Sequence, residues 1–202
     1  MTRHNKEIRL RKKYLNELLD LKGNIRVLCR VRPLIREDGD STQIVSFDPS
    51  DDGRLSLFSK GSLNTYEVDK VFRPESTQEQ VFDEVKPLIM ACIDGYNICI
   101  FAYGQTGAGK TFTMEGTPRD PGINKRSVKF LFDETSWRSD WLYTISVSTL
   151  EIYNEKLHDQ LTGDDAKLDI KQGREGMYVP GLTEVSVSNI EDLNDVCFHL
   201  KC

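Results

Sequence analysis

The chain has 202 residues, of which 38% are hydrophobic and 29% charged, so its composition favours one globular domain over a disordered chain. No apolar run is long enough to span a bilayer and the first residues lack an apolar signal core, so we expect neither a membrane span nor a signal peptide. The five cysteines contain no C-x-x-C pair, which argues against a zinc site or disulfide framework and fits a reducing, cytosolic compartment.

Charge is distributed unevenly along the chain. Residues 1–36 contain 11 Lys or Arg and 3 Asp or Glu, whereas the remainder contains 16 basic and 29 acidic residues. A basic segment before an acidic body suggests contact with a polyanion, which could be nucleic acid, a membrane surface or an acidic protein polymer. A solvated helix explains the same charge equally well.

The first predicted element is a helix over residues 5–22, which contain no Pro or Gly and are followed by Gly23. Ile8, Leu15 and Leu18 are spaced as in a coiled coil. This helix is therefore either the end of a coiled coil or a helix that docks on the body.

The next part of the chain alternates strand patterns with turns and leads into a second helix. A helix is predicted from Gln78 onward, capped by Ser76 or Thr77, and Pro87 should kink or divide it. Period-two patterns bounded by turn residues predict strands over residues 24–32, 43–47, 54–58 and 66–72.

Residues 97–111 combine an apolar run of strand length, 97–103, with a glycine-rich loop of the form G-x-x-x-x-G-K-T. The glycines permit a sharp turn that brings backbone N–H groups onto phosphates, and a helix beginning at Gly109–Lys110 would add its positive end. Lys110 would reach the β- and γ-phosphates, and the Thr111 hydroxyl would hold Mg²⁺. The pattern predicts a nucleotide site formed by Gly104, Gln105, Thr106, Gly107, Ala108, Gly109, Lys110 and Thr111.

Beyond this loop, the patterns predict a helix over residues 123–135 and a long central strand over 141–153. Two further strands, 168–172 and 177–187, flank a glycine-rich turn, and another helix begins near residue 190.

Several blocks taken together resemble the kinesin motor domain, over residues 24 to about 196. The segment Tyr14 to Val27 is similar to the neck of the C-terminal-motor kinesins, which are mostly minus-end-directed. The resemblance implies a neck helix or coiled-coil end over residues 1–23 and the N-terminal part of a motor domain over 24–202. The blocks that carry it are Arg30-Val-Arg-Pro33, Val71-Phe-x-Pro74 with Gln78 and Phe82, Tyr103 to Thr111 with Thr113-Met-Glu-Gly116, and Glu151-Ile-Tyr-Asn-Glu155.

The fold implied by this resemblance is α/β, of the P-loop NTPase type, with an incomplete mixed central sheet flanked by helices and preceded by the neck helix. The implied function is an ATP-binding microtubule motor of the cytoplasm and cytoskeleton, with ATP and Mg²⁺ as ligands and a homodimer formed through the neck and stalk. Tubulin has an acidic surface that would suit the basic first segment, so we expect microtubules rather than nucleic acid or a membrane as the partner.

The resemblance also implies roles for residues outside the loop. Arg30 and Pro33 would flank the adenine, because a guanidinium plane stacks well on a base. Phe82 and Phe112 are candidates for the base and ribose pocket, with core packing an equally good explanation for each.

Two family segments, Asn-x-x-Ser-Ser-Arg-Ser-His and Asp-Leu-Ala-Gly-Ser-Glu, do not occur in these 202 residues. Since hydrolysis needs groups that sense the γ-phosphate and position water, we predict no catalytic residue. Glu151 is a poor substitute, because the family uses its block structurally. The expected alternative is a truncated fragment that binds nucleotide or a neck partner without hydrolysis.

The family also takes the strands beside the loop strand from beyond this part of the motor domain. Residues 98–102 should therefore expose unpaired backbone groups and an apolar face. We expect a marginally stable or aggregation-prone chain.

Overall fold

The computed structural model describes residues 3–39, 44–138, 141–163, 167–174 and 176–193. These residues belong to two units, residues 1–131 and residues 132–202. Among the described residues, no helix is both long and apolar enough to cross a membrane.

The helices of the first unit follow the sequence patterns closely. Helix α1 spans Arg3–Lys22 and ends at Gly23, whose φ of +83° lies in the left-handed region that glycine tolerates. Helix α2 spans Gln78–Ile93 and continues through Pro87, so the predicted division at this proline does not occur. The described residues of this unit also form a short 3-10 helix, Arg36–Asp38, and two α-helices, α3, Lys110–Met114, and α4, Ile123–Ser136. Helix α4 continues into the second unit.

Helix α2 begins with a reciprocal cap. The Thr77 side chain accepts a hydrogen bond from the Gln80 backbone N–H at 3.2 Å, and the Gln80 side chain accepts one from the Thr77 N–H at 2.9 Å. Both backbone donors would otherwise lack an acceptor within the helix. Of the two predicted capping residues, Thr77 is therefore the one used.

The strands of the first unit form two small sheets. Strand β1, Leu28–Arg30, is parallel to β5, Lys70–Phe72, with Cys29 opposite Val71. The predicted strand over 24–32 is thus confirmed only in its centre. An antiparallel sheet is formed in the order β2, Val45–Phe47; β3, Arg54–Ser59; and β4, Ser62–Glu67.

The prediction of one continuous strand over residues 66–72 was wrong, because β4 and β5 belong to different sheets. The chain changes partner at Val68 and Asp69. The N–H of Val68 donates to the Gly53 carbonyl at 2.8 Å, and the N–H of Asp69 donates to the Val27 carbonyl at 3.0 Å. The Asp69 carboxylate in turn accepts from the Val27 N–H at 2.6 Å, which fixes the start of β1 beside β5.

The core of the first unit forms where α2 packs on β5 and on the start of α4. Apolar residues at helical spacing along α2 lie on one face, because positions three and four apart are neighbours on a helix. The buried cluster consists of Phe72, Val81, Phe82, Val85 and Ile123, surrounded by the half-buried Leu28, Ile89, Ile100, Met114 and Phe130.

Residues 97–103 do not form the predicted strand, since no strand among the described residues pairs with them. Their side chains still alternate. Ile98 and Ile100 are half-buried, whereas Phe101 is 86% exposed and Tyr103 is 100% exposed. The expected apolar exposure of this segment is confirmed. A cleft of about 790 Å³ lies between the segment and the residues leading into β1.

The described residues of the second unit form six short strands. The predicted strand over 141–153 was wrong as a single element, because it divides into β6, Ile145–Val147, and β7, Leu150–Tyr153, which pair with different strands. Residues 168–187 likewise contain three short strands instead of the two predicted. The other strands are β8, Lys156–Asp159; β9, Lys171–Gly173; β10, Gly176–Tyr178; and β11, Val185–Val187.

These strands pair as three antiparallel ribbons. Strand β6 pairs with β11, and β7 and β8 form a hairpin whose turn residues Asn154 and Glu155 have φ of +48° and +63°. Strands β9 and β10 pair on either side of the glycine-rich turn, where the sequence predicted a strand on each side. Residues 190–193 are helical, and the rest of the helix predicted from 190 lies outside the described residues.

Asp159, which is 6% exposed at the end of β8, ties two loops of this unit together. Its carboxylate accepts hydrogen bonds from the Leu161 N–H at 2.8 Å and from the Thr183 N–H at 2.7 Å. Burial opposes ionisation of this group, but the hydrogen bonds from Thr183 and neighbouring backbone N–H groups outweigh it and lower the pKa of Asp159.

Candidate nucleotide site

The glycine-rich loop turns sharply between the extended segment and α3. Gly107 and Gly109 have φ of +79° and +92°, a backbone conformation in which a side chain would be strained. The N–H of Ala108 donates to the Gln105 carbonyl at 3.2 Å and closes the turn. The predicted helix beginning at Gly109–Lys110 is confirmed as α3, although its five residues give it only a small dipole.

Lys110 is turned inward over this loop. Its ammonium nitrogen Nζ donates to the Gly104 carbonyl at 2.8 Å and to the Gln105 carbonyl at 2.9 Å. A phosphate oxygen carries a formal charge and is a stronger acceptor for an ammonium group than a carbonyl oxygen. The geometry thus holds a cation at the loop where an anion could exchange for the two carbonyls, while Thr111 next to it is exposed.

Arg30, the last residue of β1, lies beside α3. Its Nη1 donates to Gln78 Oε1 at 2.7 Å and to Thr113 Oγ1 at 3.1 Å, and Nη2 donates to the Ser76 carbonyl at 3.4 Å. The guanidinium carbon is 5.1 Å from the ring centroid of Phe112, within the range of a cation–π contact. The strand end therefore places a planar cation next to the helix that follows the loop.

The charged guanidinium group of Arg30 is partly shielded from solvent. Burial lowers the pKa of Arg30, and the carboxylate of Asp120 partly opposes this effect. A guanidinium nevertheless remains charged at any physiological pH because its ordinary pKa is so high.

Gln78 is a residue of this region to which the sequence assigned no role. It is 2% exposed, and its Nε2 donates to the Phe112 carbonyl at 2.6 Å. The signal in the sequence was a polar residue on a face of α2 that is otherwise apolar. Local sequence does not reveal, however, which groups form hydrogen bonds with a buried amide.

The kinesin motor domain family model matches residues 30–199 of the chain. The chain belongs to the kinesin family. Kinesin-like protein KIN-14R of Arabidopsis thaliana is 44% identical over 201 residues, which are 96% of this chain and 19% of that protein. Kinesin-like protein klp-3 of Caenorhabditis elegans is 43% identical over 198 residues, 96% of this chain and 33% of that protein. Kinesin-like protein KIFC2 of Homo sapiens is 43% identical over 183 residues, 89% of this chain and 21% of that protein.

The resemblance to the C-terminal-motor kinesins is confirmed by the KIN-14 and KIFC2 relatives. The chain spans only 19% to 33% of the length of the three relatives named above. The solved structure of a fast kinesin, described with its ATPase mechanism and interactions with microtubules, matches with a TM-score of 0.82 at 34% identity. That match covers 87% of this chain and 52% of the fast kinesin. The predicted α/β class is thereby confirmed.

The kinesin resemblance implied roles at the base site for three residues besides Arg30. In the structure two of them are exposed and the third is buried in the core. Phe112 is 45% exposed under the Arg30 guanidinium, and Pro33 is exposed just beyond β1. Phe82, in contrast, is 5% exposed in the core and packs edge-to-face on Phe130 with ring centroids 6.2 Å apart. Core packing is the explanation that fits Phe82, so we leave it out of the candidate pocket.

Two further kinesin-block residues have partners within the protein. Arg32, two residues after Arg30, pairs through Nη2 with Asp38 Oδ1 at 2.6 Å. Glu151 in the second unit accepts a hydrogen bond from Gln160 Nε2 at 3.0 Å. A structural role accounts for the contacts of both side chains.

Proposed function

We propose that this chain is the ATP-binding part of a microtubule motor, in which residues 1–23 form the neck and residues 24–202 belong to the motor domain. The observation that carries the proposal is the hydrogen bond from Arg30 to Thr113. Through it, the residue assigned to the base is attached to the same short helix whose first residues are assigned to the phosphates.

Each group then has a distinct role toward Mg²⁺-ATP. Lys110 would exchange its two loop carbonyls for phosphate oxygens, and the exposed Thr111 hydroxyl would supply a ligand to Mg²⁺. Arg30 and Phe112 form one wall of the base site, with Pro33 at its edge. The residues present fit the ligand, because glycine conformations, a cation and a hydroxyl occur where phosphates and a magnesium ion require them.

The neck role rests on contacts between α1 and the end of α2. Lys12 Nζ donates to the Asp94 carbonyl at 2.6 Å, and the Arg11 guanidinium lies 3.8 Å from the Asp94 carboxylate. Cations at the C-terminal end of a helix are favoured by its partial negative charge. We propose that this junction transmits movement between neck and head in the complete motor, which works on microtubules in the cytoplasm as a homodimer joined through its neck and stalk.

A thermal melt with and without Mg²⁺-ATP tests the binding proposal. A ligand at 100 times its Kd that binds only the folded state stabilises it by about 2.7 kcal/mol. We expect ATP to raise the midpoint of the wild type and of Lys125→Ala, an exposed lysine in α4, but not that of Lys110→Ala. An unchanged wild-type midpoint at saturating ATP would contradict the proposal.

The second candidate function, for a polypeptide of these 202 residues, is binding without hydrolysis, because the two hydrolytic segments do not occur within them. We expect such a polypeptide to bind nucleotide or a neck partner without turnover. Microtubule-stimulated phosphate release that disappears in Lys110→Ala would contradict this expectation. A pull-down on microtubules and on DNA distinguishes a kinesin from a nucleic-acid-dependent ATPase.

A further inference from the structure

Gln78 makes a hydrogen bond at each end of its buried amide. Its Oε1 accepts from Arg30 Nη1 at 2.7 Å, and its Nε2 donates to the Phe112 carbonyl at 2.6 Å. A guanidinium has no acceptor and a carbonyl has no donor, so only this orientation of the amide satisfies both partners. The side chain therefore joins the end of β1 to α3 in one defined geometry.

A purely structural reason does not account well for an amide at this place. The neighbouring positions on the same face of α2 are Val81, Phe82 and Val85, all buried and apolar. Burying an amide is unfavourable unless it is fully hydrogen-bonded, and an unbranched apolar side chain would fill similar space without that requirement. The groups that Gln78 contacts, in contrast, belong to the candidate base site.

We propose that Gln78 is a positioning residue for base recognition, which holds the Arg30 guanidinium over Phe112 and keeps it in register with the phosphate loop. This inference rests on the proposed function. Without Gln78, Arg30 would keep only the longer bonds to Thr113 at 3.1 Å and to Ser76 at 3.4 Å. The guanidinium would then be free to rotate away from the plane that stacks on a base.

The test compares two ligands that share their phosphates, namely Mg²⁺-ATP and Mg²⁺-tripolyphosphate, by titration calorimetry. We expect Gln78→Met to weaken ATP binding about tenfold, the scale of a hydrogen bond to a charged group, and to change tripolyphosphate binding by less than about twofold. The control is Glu79→Met, an exposed position in the same turn of α2, which should change neither affinity.

Equal losses for both ligands would overturn the inference, because they would mean that Gln78 only supports the fold. An unchanged ATP affinity would overturn it as well. Combining Gln78→Met with Arg30→Met provides a second check. If Gln78 acts through Arg30, the double variant binds ATP as weakly as Arg30→Met alone, whereas additive losses contradict this.

If the methionine variant does not fold, Gln78→Glu provides an alternative variant for the same comparison of ligands. The carboxylate retains the acceptor for Arg30 and removes the donor to Phe112, so we expect the preference for ATP over tripolyphosphate to be retained. Loss of that preference would contradict the inference. A wild type that binds neither ligand would instead refute the proposed function, and one that binds both with equal affinity would refute the base site alone.

Discussion

Replacing Phe82 by leucine distinguishes a core residue from a wall of the base site. The Phe82 ring is 5% exposed and contacts Phe130 edge-to-face, at 6.2 Å between centroids and 79° between planes. An aromatic pair of this kind contributes about 1 kcal/mol beyond its burial, and the missing carbon atoms of the ring, about three, contribute about 0.8 kcal/mol each. We therefore expect Phe82→Leu to lower the free energy of unfolding by about 3 kcal/mol.

For a chain of this size, such a loss lowers the melting midpoint by about 9 °C. The assay is a thermal melt of each variant with and without Mg²⁺-ATP. Phe82→Leu should melt earlier than the wild type but show the same increase in midpoint on adding ATP. Phe112→Leu is the matched comparison, because its ring is 45% exposed and lies under the Arg30 guanidinium. It should melt near the wild type and show a smaller increase with ATP.

The opposite pattern would refute the reasoning. If Phe82→Leu left the midpoint without ATP within about 1 °C of the wild type and reduced the ATP-induced increase, Phe82 would belong to the ligand site. The packing described for α2 would then misplace the aromatic ring of that helix.

Two further predictions concern stability. Thr77→Ala removes the side-chain acceptor at the start of α2 and should lower the free energy of unfolding by about 1 kcal/mol, measured by urea titration. Thr77→Ser keeps a hydroxyl acceptor and should lose little stability. Equal losses in the two variants would contradict the capping role. Asp159 has a lowered pKa in the folded protein, so its ionised form contributes stability above the pKa of the unfolded chain, and this contribution is lost as the pH falls through the folded pKa. We expect Asp159→Asn to be less stable than the wild type at pH 7, with the difference shrinking as the pH is lowered below about 4. A difference that did not depend on pH would show that the carboxylate charge has no part in it.

The helices could be predicted from the sequence because their signals are local. Glycine after α1, threonine before α2 and apolar residues at helical spacing all lie within a few residues of the element they define. The strands were less predictable, because a strand is defined by its partner. The break at Val68–Asp69 depends on carbonyls of Gly53 and Val27, which are distant in sequence.

The conformation of the glycine-rich loop could be predicted for the same reason as that of the helices. Its glycines, Lys110 and Thr111 all lie within residues 104–111, and the turn that the motif requires is the turn observed. The candidate base site depended on the family resemblance for Arg30. No role was predicted for Gln78, since no local pattern shows that its amide meets Arg30 on one side and Phe112 on the other.

In the proposed nucleotide site, the inward position of Lys110 would affect which ligands the loop selects. Any anion must compete with the carbonyl oxygens of Gly104 and Gln105 for the same ammonium group, so binding is an exchange of partners. The net gain in binding free energy is the difference between a hydrogen bond from the ammonium group to a charged phosphate oxygen and one to a carbonyl oxygen with only a partial charge. A polyphosphate chain gains from this exchange, whereas a neutral phosphate ester of the same shape gains almost nothing. In the proposed site, Lys110 and the two loop carbonyls would therefore discriminate ligands by charge, independently of the base.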